Sequence, residues 1–190
     1  LRFTNLAKVD HGIGVIAFGK LGTRELDLGS DLDLIFLTKD QKTAHEEKTY
    51  KVIKKFIAWI VLRTFSGRLF KIDTALRPNG TSGLLVSSLD AFSSYQKNDA
   101  WYWEHQALTK ARFLTGDKNI AKKFECIRRE VIQLPKNLTS LTEEIISMRM
   151  LMISKSPSKN QYLLADLKNS RGGLIAVSYT HLTLPTMFEV

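Results

Sequence analysis

Two short apolar runs near the start of the chain have the length and composition of β-strands. They cover residues 13–18 and 31–37, and we expect them to be adjacent strands. The second run opens with Asp31 and Asp33, spaced by one residue. Side chains at i and i+2 of a strand point to one face, roughly 6–7 Å apart. The two carboxylates therefore project together, and the leucines and phenylalanine that alternate with them face a core.

A helical period and then a third strand come next along the chain. Residues 43–65 carry an apolar stripe with a spacing of three and four, which predicts one helix. Residues 68–76 predict a strand. Alternation along this strand groups Asp73 with three other residues, which are Lys71, Ala75 and Arg77. A third carboxylate thus lies on a strand, one helix after the first two.

The rest of the chain predicts helices. The first two cover residues 88–98 and 100–114. Asp117 caps the third, which ends before Pro135, and the last covers residues 140–153. The fold class that this order indicates is α/β (α+β), a small mixed sheet with packed helices that leads into a helical region.

Composition narrows the possible partners. The formal net charge of +9 favours an anionic partner, such as nucleic acid, a nucleotide triphosphate or an acidic protein surface. No apolar run reaches the ~18 residues of a membrane span. The single Cys126 excludes an intramolecular disulfide, fits a reducing cytoplasm, and is expected in a helix core. The first residue is Leu1 and not methionine, so the chain resembles a fragment.

A glycine-rich turn, Gly19-Lys20-Leu21-Gly22, comes directly after the first strand. Glycines at a strand-to-helix turn allow backbone N–H groups to approach a phosphate. The spacing also matches a P-loop, but Leu21 stands where that loop needs Ser or Thr, and the intervening residues are continuously apolar. A strand with a phosphate-binding turn at its end is the better interpretation.

Paired carboxylates repel each other unless a cation lies between them. Mg²⁺ commonly binds one or two carboxylates together with substrate phosphates. The pattern therefore indicates phosphoryl or nucleotidyl transfer. The three acids, Asp31, Asp33 and Asp73, resemble those of the polymerase-β-type nucleotidyltransferase superfamily, in which a Gly-Ser turn precedes Asp-x-Asp/Glu. Lys20 stands here at the place of that serine.

Longer motifs resemble one family more closely. The sequence from Phe18 to Phe36, the run Asp73-Thr74-x-Leu76-Arg77-Pro78, and the run Ala100-Trp101-x-Trp103-Glu104-His105-Gln106 are similar to glutamine synthetase adenylyltransferases. The resemblance covers about residues 3–175. Ala75 departs from it, since the family usually has arginine there.

The resemblance implies a nucleotidyltransferase catalytic domain over residues 1–135 and the start of a helical domain over 136–175. Residues 176–190 resemble a translated sequencing adaptor, and we expect them to be a non-native tail. The Trp-Glu-His-Gln run resembles the adenylylating half of the family, which moves AMP from ATP to a tyrosine of glutamine synthetase. A PII-type signal protein is the regulator that the family implies.

The hypothesis assigns a role to each candidate residue. Two Mg²⁺ ions would bind Asp31, Asp33 and Asp73, and Asp73 would also act as general base. Gly19, Lys20, Gly22 and Ser30 would line the ATP triphosphate, and Arg77 would either lie near it or pair with a strand carboxylate. Trp101, Trp103 and His105 are expected to serve core packing and capping.

Three alternatives stay open. In the first, the chain is the phosphorolytic, deadenylylating half of the same family. In the second it is an RNA-directed nucleotidyltransferase, and in the third it is a non-catalytic interaction module. The Trp-Glu-His-Gln run argues against nucleic acid as the substrate, and the three intact acids argue against a decayed site.

Overall fold

The computed structural model describes residues 12–27, 29–65, 67–68, 70–135 and 137–155, together with 173, 174 and 177. The chain divides into two compact units, Leu1–Ala100 with Glu104–Gln133, and Trp101–Trp103 with Leu134–Val190. The predicted tail, 176–190, lies outside the described residues except for residue 177. No helix within the described ranges has the length and apolar character that crossing a membrane requires.

The elements follow one another in this order: β1 (Ile13–Ala17), α1 (Gly19–Thr23), β2 (Leu32–Thr38), α2 (Gln41–His45), α3 (Glu47–Ile60), β3 (Arg63–Thr64), β4 (Gly67–Arg68), β5 (Ile72–Asp73), β6 (Val86–Ser88), α4 (Leu89–Asn98), α5 (Tyr102–Thr109), β7 (Arg112–Gly116), α6 (Lys118–Ile132) and α7 (Leu138–Lys155). A 3₁₀ turn, Gly80–Ser82, lies between β5 and β6. The mixed α/β class that the sequence predicts is confirmed.

Five of the strands form one mixed sheet. β1 is antiparallel to β2 on one side and to β7 on the other. The remaining edge of β2 carries two short parallel strands, β5 beside residues 32–33 and β6 beside residues 36–38. The chain between β5 and β6 therefore leaves the sheet and returns to the same edge of β2.

Both faces of the sheet are covered. On one face Ile16 and Leu37 pack with α4 and α6, where the Phe92 and Phe124 ring centroids are 5.9 Å apart. On the other face Leu34 and other apolar residues pack with α3. Asp33 lies on the first face, because it alternates with the buried Leu32 and Leu34. The sheet is thus the middle of three layers, and the aspartates occupy the end of β2 that precedes its buried part.

Several predicted elements have different limits. The helix predicted over 43–65 is two helices that end at Ile60, and the β3–β4 hairpin comes after them. The second strand of the hairpin begins with Gly67 at φ +103°, a left-handed conformation that glycine adopts without strain. Among the described residues of the strand predicted over 68–76, only Ile72–Asp73 pairs with β2, whereas Arg68 belongs to the hairpin. Lys71, Asp73 and Ala75 are nevertheless all exposed, as alternation requires.

Two further predictions are wrong. The helix predicted over 100–114 ends at Thr109, and Arg112–Gly116 forms the edge strand β7 instead. The β-prone residues Phe113 to Thr115 favour a strand, but this preference alone does not distinguish a strand from a helix. The strand forms here because these residues pair with the edge of β1. Cys126 is exposed on α6 and not in its core.

Candidate active site

The pairing of β2 with β5 brings two of the predicted carboxylates together. The strands run parallel, with Asp33 opposite Asp73. Neighbouring strands lie about 4.8 Å apart, and residues in register project to the same face. Asp33 is half-buried and Asp73 is exposed. The two carboxylates therefore stand side by side at the sheet edge, one accessible from solvent and one partly covered.

Gly19 lies directly against the Asp33 carboxylate. Its φ of +52° is left-handed, and a Cβ at this position would collide with Asp33 Oδ2. The preceding Phe18 N–H donates to the Asp33 carbonyl over 2.9 Å, which attaches the turn to β2. Only a residue without a side chain allows the backbone of this turn to approach the carboxylate so closely.

Asp31 lies just before β2 and is exposed. Alternation places it on the face of Asp33, and the Leu32 N–H donates to the Lys71 carbonyl over 2.8 Å beside it. Within the described part of the chain, no group of three His, Cys, Asp or Glu side chains is close enough to hold a metal ion. The structure thus gathers a pair, Asp33 and Asp73, with Asp31 two residues away. Hard oxygen donors of this number fit a divalent cation that also binds water and phosphate.

Lys20 and Ser30, both predicted to line a triphosphate, are joined by Asp27. Lys20 Nζ is 2.9 Å from Asp27 Oδ2, and the Ser30 hydroxyl donates to Asp27 Oδ1. The Ser30 hydrogen bond, followed by Lys20, lowers the pKa of Asp27. Sequence reasoning missed Asp27, although Asp-x-Gly-Ser is a turn-forming sequence in which a carboxylate commonly binds nearby polar groups. Exposed ion pairs of this kind are weak, so Lys20 is able to exchange partners.

Arg77 serves the loop that comes after Asp73. Its guanidinium donates to the carbonyls of Thr74, Thr81 and Gly83 over 2.8, 2.9 and 3.2 Å, and also to the Thr74 hydroxyl. Within the described residues no carboxylate pairs with it, so the strand ion pair considered from sequence is not formed. Arg77 holds the chain that leaves β5 in the compact loop that leads to β6.

Arg112 positions the glycine turn and was not singled out from sequence. From the start of β7 its Nε donates to the Gly22 carbonyl over 2.9 Å, and its Nη2 donates to the Leu21 carbonyl over 2.8 Å. These carbonyls are at the end of α1, and the Leu21 carbonyl also accepts from the Arg24 N–H over 3.4 Å. Gly22 itself has no room for a side chain, because a Cβ would collide with the Lys110 carbonyl.

We expect Arg112→Ala to destabilise the fold by about 1.5–3 kcal/mol, because two charge-assisted hydrogen bonds to α1 are lost. Arg112→Lys should recover only part of this, since an ammonium does not reproduce the planar fork. Denaturant unfolding measures the loss, and hydrogen exchange of the Gly22 amide, which is bonded to the Phe18 carbonyl, locates it. Arg129→Ala is the control, because Arg129 is a largely exposed arginine paired with Glu125. Equal losses in both alanine variants would contradict the positioning role.

The Trp-Glu-His-Gln run contributes buried polar groups to α5. His105 Nε2 is 2.7 Å from the Gln96 carbonyl, so this nitrogen carries the proton. The Tyr95 hydroxyl donates to Glu104 over 3.0 Å, and Glu104 and His105 are both buried. The expected packing and capping role is therefore confirmed for His105. Trp101, in contrast, is 55% exposed, so core packing is the wrong interpretation for that side chain.

Partial burial, followed by the negative charge of Glu104, raises the pKa of Tyr95 to about 12, from an ordinary value of 10.0. Above pH 10 the unfolded chain loses this phenolic proton while the folded chain keeps it. The free energy of unfolding should therefore decrease between pH 10 and pH 12. Urea unfolding across this range should show a smaller decrease in Tyr95→Phe. Tyr50→Phe, which removes an exposed phenol, is the control, and identical slopes in both variants would contradict the assignment.

Comparisons with known proteins give matches that include the candidate site. The sequence profile of glutamate-ammonia ligase adenylyltransferase matches residues 4–127. Three relatives are described as bifunctional glutamine synthetase adenylyltransferase/adenylyl-removing enzymes. The chain is 44% identical over 165 residues to that of Chromobacterium violaceum, 41% over 167 to that of Bordetella pertussis, and 43% over 165 to that of Nitrosomonas europaea.

These alignments cover 87 or 88% of the chain but only 18% of each relative. The chain therefore corresponds to a limited part of much longer proteins. The matched region contains the Asp33–Asp73 strand pair and the glycine turn. On these grounds the chain belongs to the glutamate-ammonia ligase adenylyltransferase family.

Proposed function

We propose that the chain transfers AMP from ATP to a tyrosine hydroxyl of glutamine synthetase. The observation that carries the proposal is the register that sets Asp33 beside Asp73 under Gly19, in a chain of this family. A carboxylate pair next to a glycine turn suits a triphosphate with its metal. It supports nucleotidyl transfer better than a purely structural role, since like charges in register would otherwise repel.

The carboxylates of Asp31, Asp33 and Asp73 would hold divalent metal, and we propose two Mg²⁺ ions. When bound, the metal would neutralise charge on the phosphates and stabilise the displacement at the α-phosphorus. The protein contributes fixed oxygen donors. The Ala75 N–H donates to Asp73 Oδ1 over 2.7 Å, which sets the rotation of that carboxylate. This contact uses the backbone, so it is independent of the arginine that the family usually has at position 75.

Asp73 is the proposed general base. It is exposed, so a tyrosine of a partner protein is able to reach it. The tyrosine proton would pass to the Asp73 carboxylate as the phenolic oxygen attacks the α-phosphorus. The bond between the α-phosphorus and the bridging oxygen would break, and pyrophosphate would leave with the electron pair.

The triphosphate would lie along Gly19, Lys20, Gly22 and Ser30, with Arg77 nearby. Lys20 would exchange Asp27 for a phosphate oxygen, which is feasible because both side chains are more than half exposed. Arg77 would act indirectly by holding the loop after Asp73. A PII-type signal protein is the proposed regulator, and it would act on parts of the full-length relatives outside the matched residues. The cytoplasm is the proposed location.

The direction of transfer is testable with the chain itself. Incubation with α-labelled ATP, Mg²⁺ and unmodified glutamine synthetase should label the synthetase. Incubation of the adenylylated synthetase with phosphate should release little ADP. Asp33→Asn is the inactive control. Dominant release of ADP would make the chain the adenylyl-removing part, which the names of the relatives also include. Label on RNA instead of protein would contradict the proposal.

A further inference from the structure

A polar cavity lies at the end of β2 that is remote from the carboxylates. Its volume is about 210 Å³, and it is lined by Lys39 after β2 and by residues at the junction of α2 with α3. Lys39 comes six residues after Asp33 on the same strand path. At about 3.3 Å per strand residue, the two positions are about 20 Å apart. The cavity is therefore separate from the candidate active site. Its polar side chains are those of Lys39, Thr43, Glu46, Lys48 and Thr49.

The first turn of α3 contributes backbone donors to this cavity. The helix has 14 residues, begins at Glu47, and has no side chain that caps its N-terminus. The Tyr50 N–H donates to the Glu46 carbonyl over 3.2 Å, whereas the N–H groups of Lys48 and Thr49, which come before it, have no carbonyl of the helix to bind. Lys48 and Thr49 both line the cavity. Free N–H groups at the positive end of a helix favour an anion.

The Thr49 hydroxyl is an independent indication of a ligand. Thr49 is only 4% exposed, and within the described residues its hydroxyl has no hydrogen-bond partner. This oxygen is not fully sealed from solvent, so it opens to the cavity that the residue lines. Thr43 differs, because its N–H donates to Asp40 Oδ1 over 2.8 Å. Since buried polar groups are normally hydrogen-bonded, the Thr49 hydroxyl indicates a ligand atom in the cavity.

Two lysines supply positive charge. The Lys39 side chain lies across Gly12, where a Cβ would be 3.0 Å from Lys39 Cδ, and its Nζ is 3.9 Å from Asp40 Oδ2. An exposed ion pair at this distance is weak, so Lys39 is able to bind another anion. Lys48 forms no ion pair within the described residues. Glu46 opposes an anion, because it lines the cavity and its carboxylate does not cap α3. The balance of two lysines and a helix N-terminus against one carboxylate is positive.

We propose that this cavity binds a phosphate group, either free phosphate or the phosphate of a small metabolite, at a site distinct from that of ATP. The donors are the N–H groups of Lys48 and Thr49, the Thr49 hydroxyl and two ammonium groups, which suit a tetrahedral anion with several acceptor oxygens. A volume of 210 Å³ equals about seven waters at about 30 Å³ each, enough for a phosphate and a few further atoms. The inference does not depend on the proposed function, since the cavity contains none of the carboxylates Asp31, Asp33 and Asp73.

Titration with inorganic phosphate tests the site, with chloride holding the ionic strength constant and the backbone amide resonances as the readout. The Lys48 and Thr49 resonances should shift together along one saturable curve. Gly19 and Gly22 report the candidate active site in the same spectra. ATP should shift these glycine resonances at lower concentration than those of Lys48 and Thr49. Shifts of Lys48 and Thr49 that follow the active-site curve for every anion would overturn the assignment of a distinct site.

Three variants change the cavity itself. Lys39→Gln/Lys48→Gln should weaken phosphate binding by about tenfold or more, because two charge-assisted contacts are lost. Thr49→Val, which keeps the shape and removes the hydroxyl, should weaken it by about fivefold. Glu46→Gln should strengthen it by about threefold, because the opposing charge is removed. The last two variants preserve side-chain volume, so they test the site even where the lysine variant melts early.

Lys54→Gln/Lys55→Gln is the matched control, since it removes the same charge from exposed positions of α3 outside the cavity lining. It should bind phosphate like the original chain. Equal weakening in the two lysine variants would show general charge attraction and overturn the proposal. So would an unchanged affinity in both Thr49→Val and Glu46→Gln.

Two further probes identify the chemical class. Glycerol phosphate should compete with inorganic phosphate for the Lys48 and Thr49 resonances. Tighter binding of the ester would support a small phosphate ester as the ligand, and tighter binding of inorganic phosphate would support the free ion. Succinate provides carboxylates without a phosphate group. Tighter binding of succinate than of either phosphate would overturn the assignment to phosphate.

Discussion

Asp33→Asn is expected to reduce AMP transfer by about a thousandfold or more while the fold stays intact. Metal-based charge stabilisation contributes several kcal/mol to such displacements, and each 1.36 kcal/mol corresponds to tenfold in rate. Asparagine has the shape of aspartate but lacks its charge. Because Asp33 is in register with Asp73, removing one charge also relieves repulsion between them. Stability without metal should therefore be unchanged or slightly higher.

Asp73→Asn should have an effect of the same order, since it removes a proposed metal ligand and the proposed base. Asp31→Asn should also abolish transfer. Asp99→Asn is the control for removing a carboxylate, because Asp99 is exposed at the end of α4. Initial rates with labelled ATP give the activities, and melting without Mg²⁺ gives the stabilities. Normal rates combined with a large loss of stability at positions 33 and 73 would show that the pair is structural.

The strands that carry the acids were predictable because their signals are local. Alternation identified the face of Asp33 and the exposure of Lys71, Asp73 and Ala75. The same pattern also overextended the third strand, since alternation does not reveal how long a partner strand is available. In the described part of this segment, Ile72–Asp73 alone pairs with β2 before the chain leaves the sheet. The edge strand β7 was missed for the same reason, because the partner that selects strand over helix is β1, about a hundred residues earlier.

The arginines show where sequence reasoning about the site stops. The sequence suggested a place near the phosphates for Arg77 because this residue comes soon after Asp73, whereas its donors bind carbonyls of its own loop. The sequence suggested no role for Arg112, because its partners are backbone carbonyls 90 and 91 residues away. Lys20 is a similar case, since its partner is Asp27 in a turn between two elements. The residue types show that cationic side chains are available near the site. The tertiary contacts determine which of these side chains bind the backbone and loops of the site.

Gly19→Ala is expected to reduce kcat/KM for AMP transfer by about a hundredfold. The new Cβ would collide with Asp33 Oδ2, so either the carboxylate rotates or α1 moves away from β2. A displacement of about 1 Å in a reacting group costs about that factor. The left-handed φ of +52° adds a backbone cost of roughly 1–2 kcal/mol, which affects stability whether or not the site is disturbed.

Gly29→Ala separates these two effects. Gly29 is also left-handed, at φ +87°, but a Cβ there would have no atom within 4 Å. Both variants should lose a comparable free energy of unfolding, measured in denaturant, because both strain the backbone. Only Gly19→Ala should lose most of its activity. Equal activity losses in the two variants would assign the effect to general strain in the turn. Loss of activity in Gly19→Ala alone would locate the effect in the contact between Gly19 and the Asp33 carboxylate. The double variant Gly19→Ala/Asp33→Ser should not regain activity, because serine removes the carboxylate along with the clash.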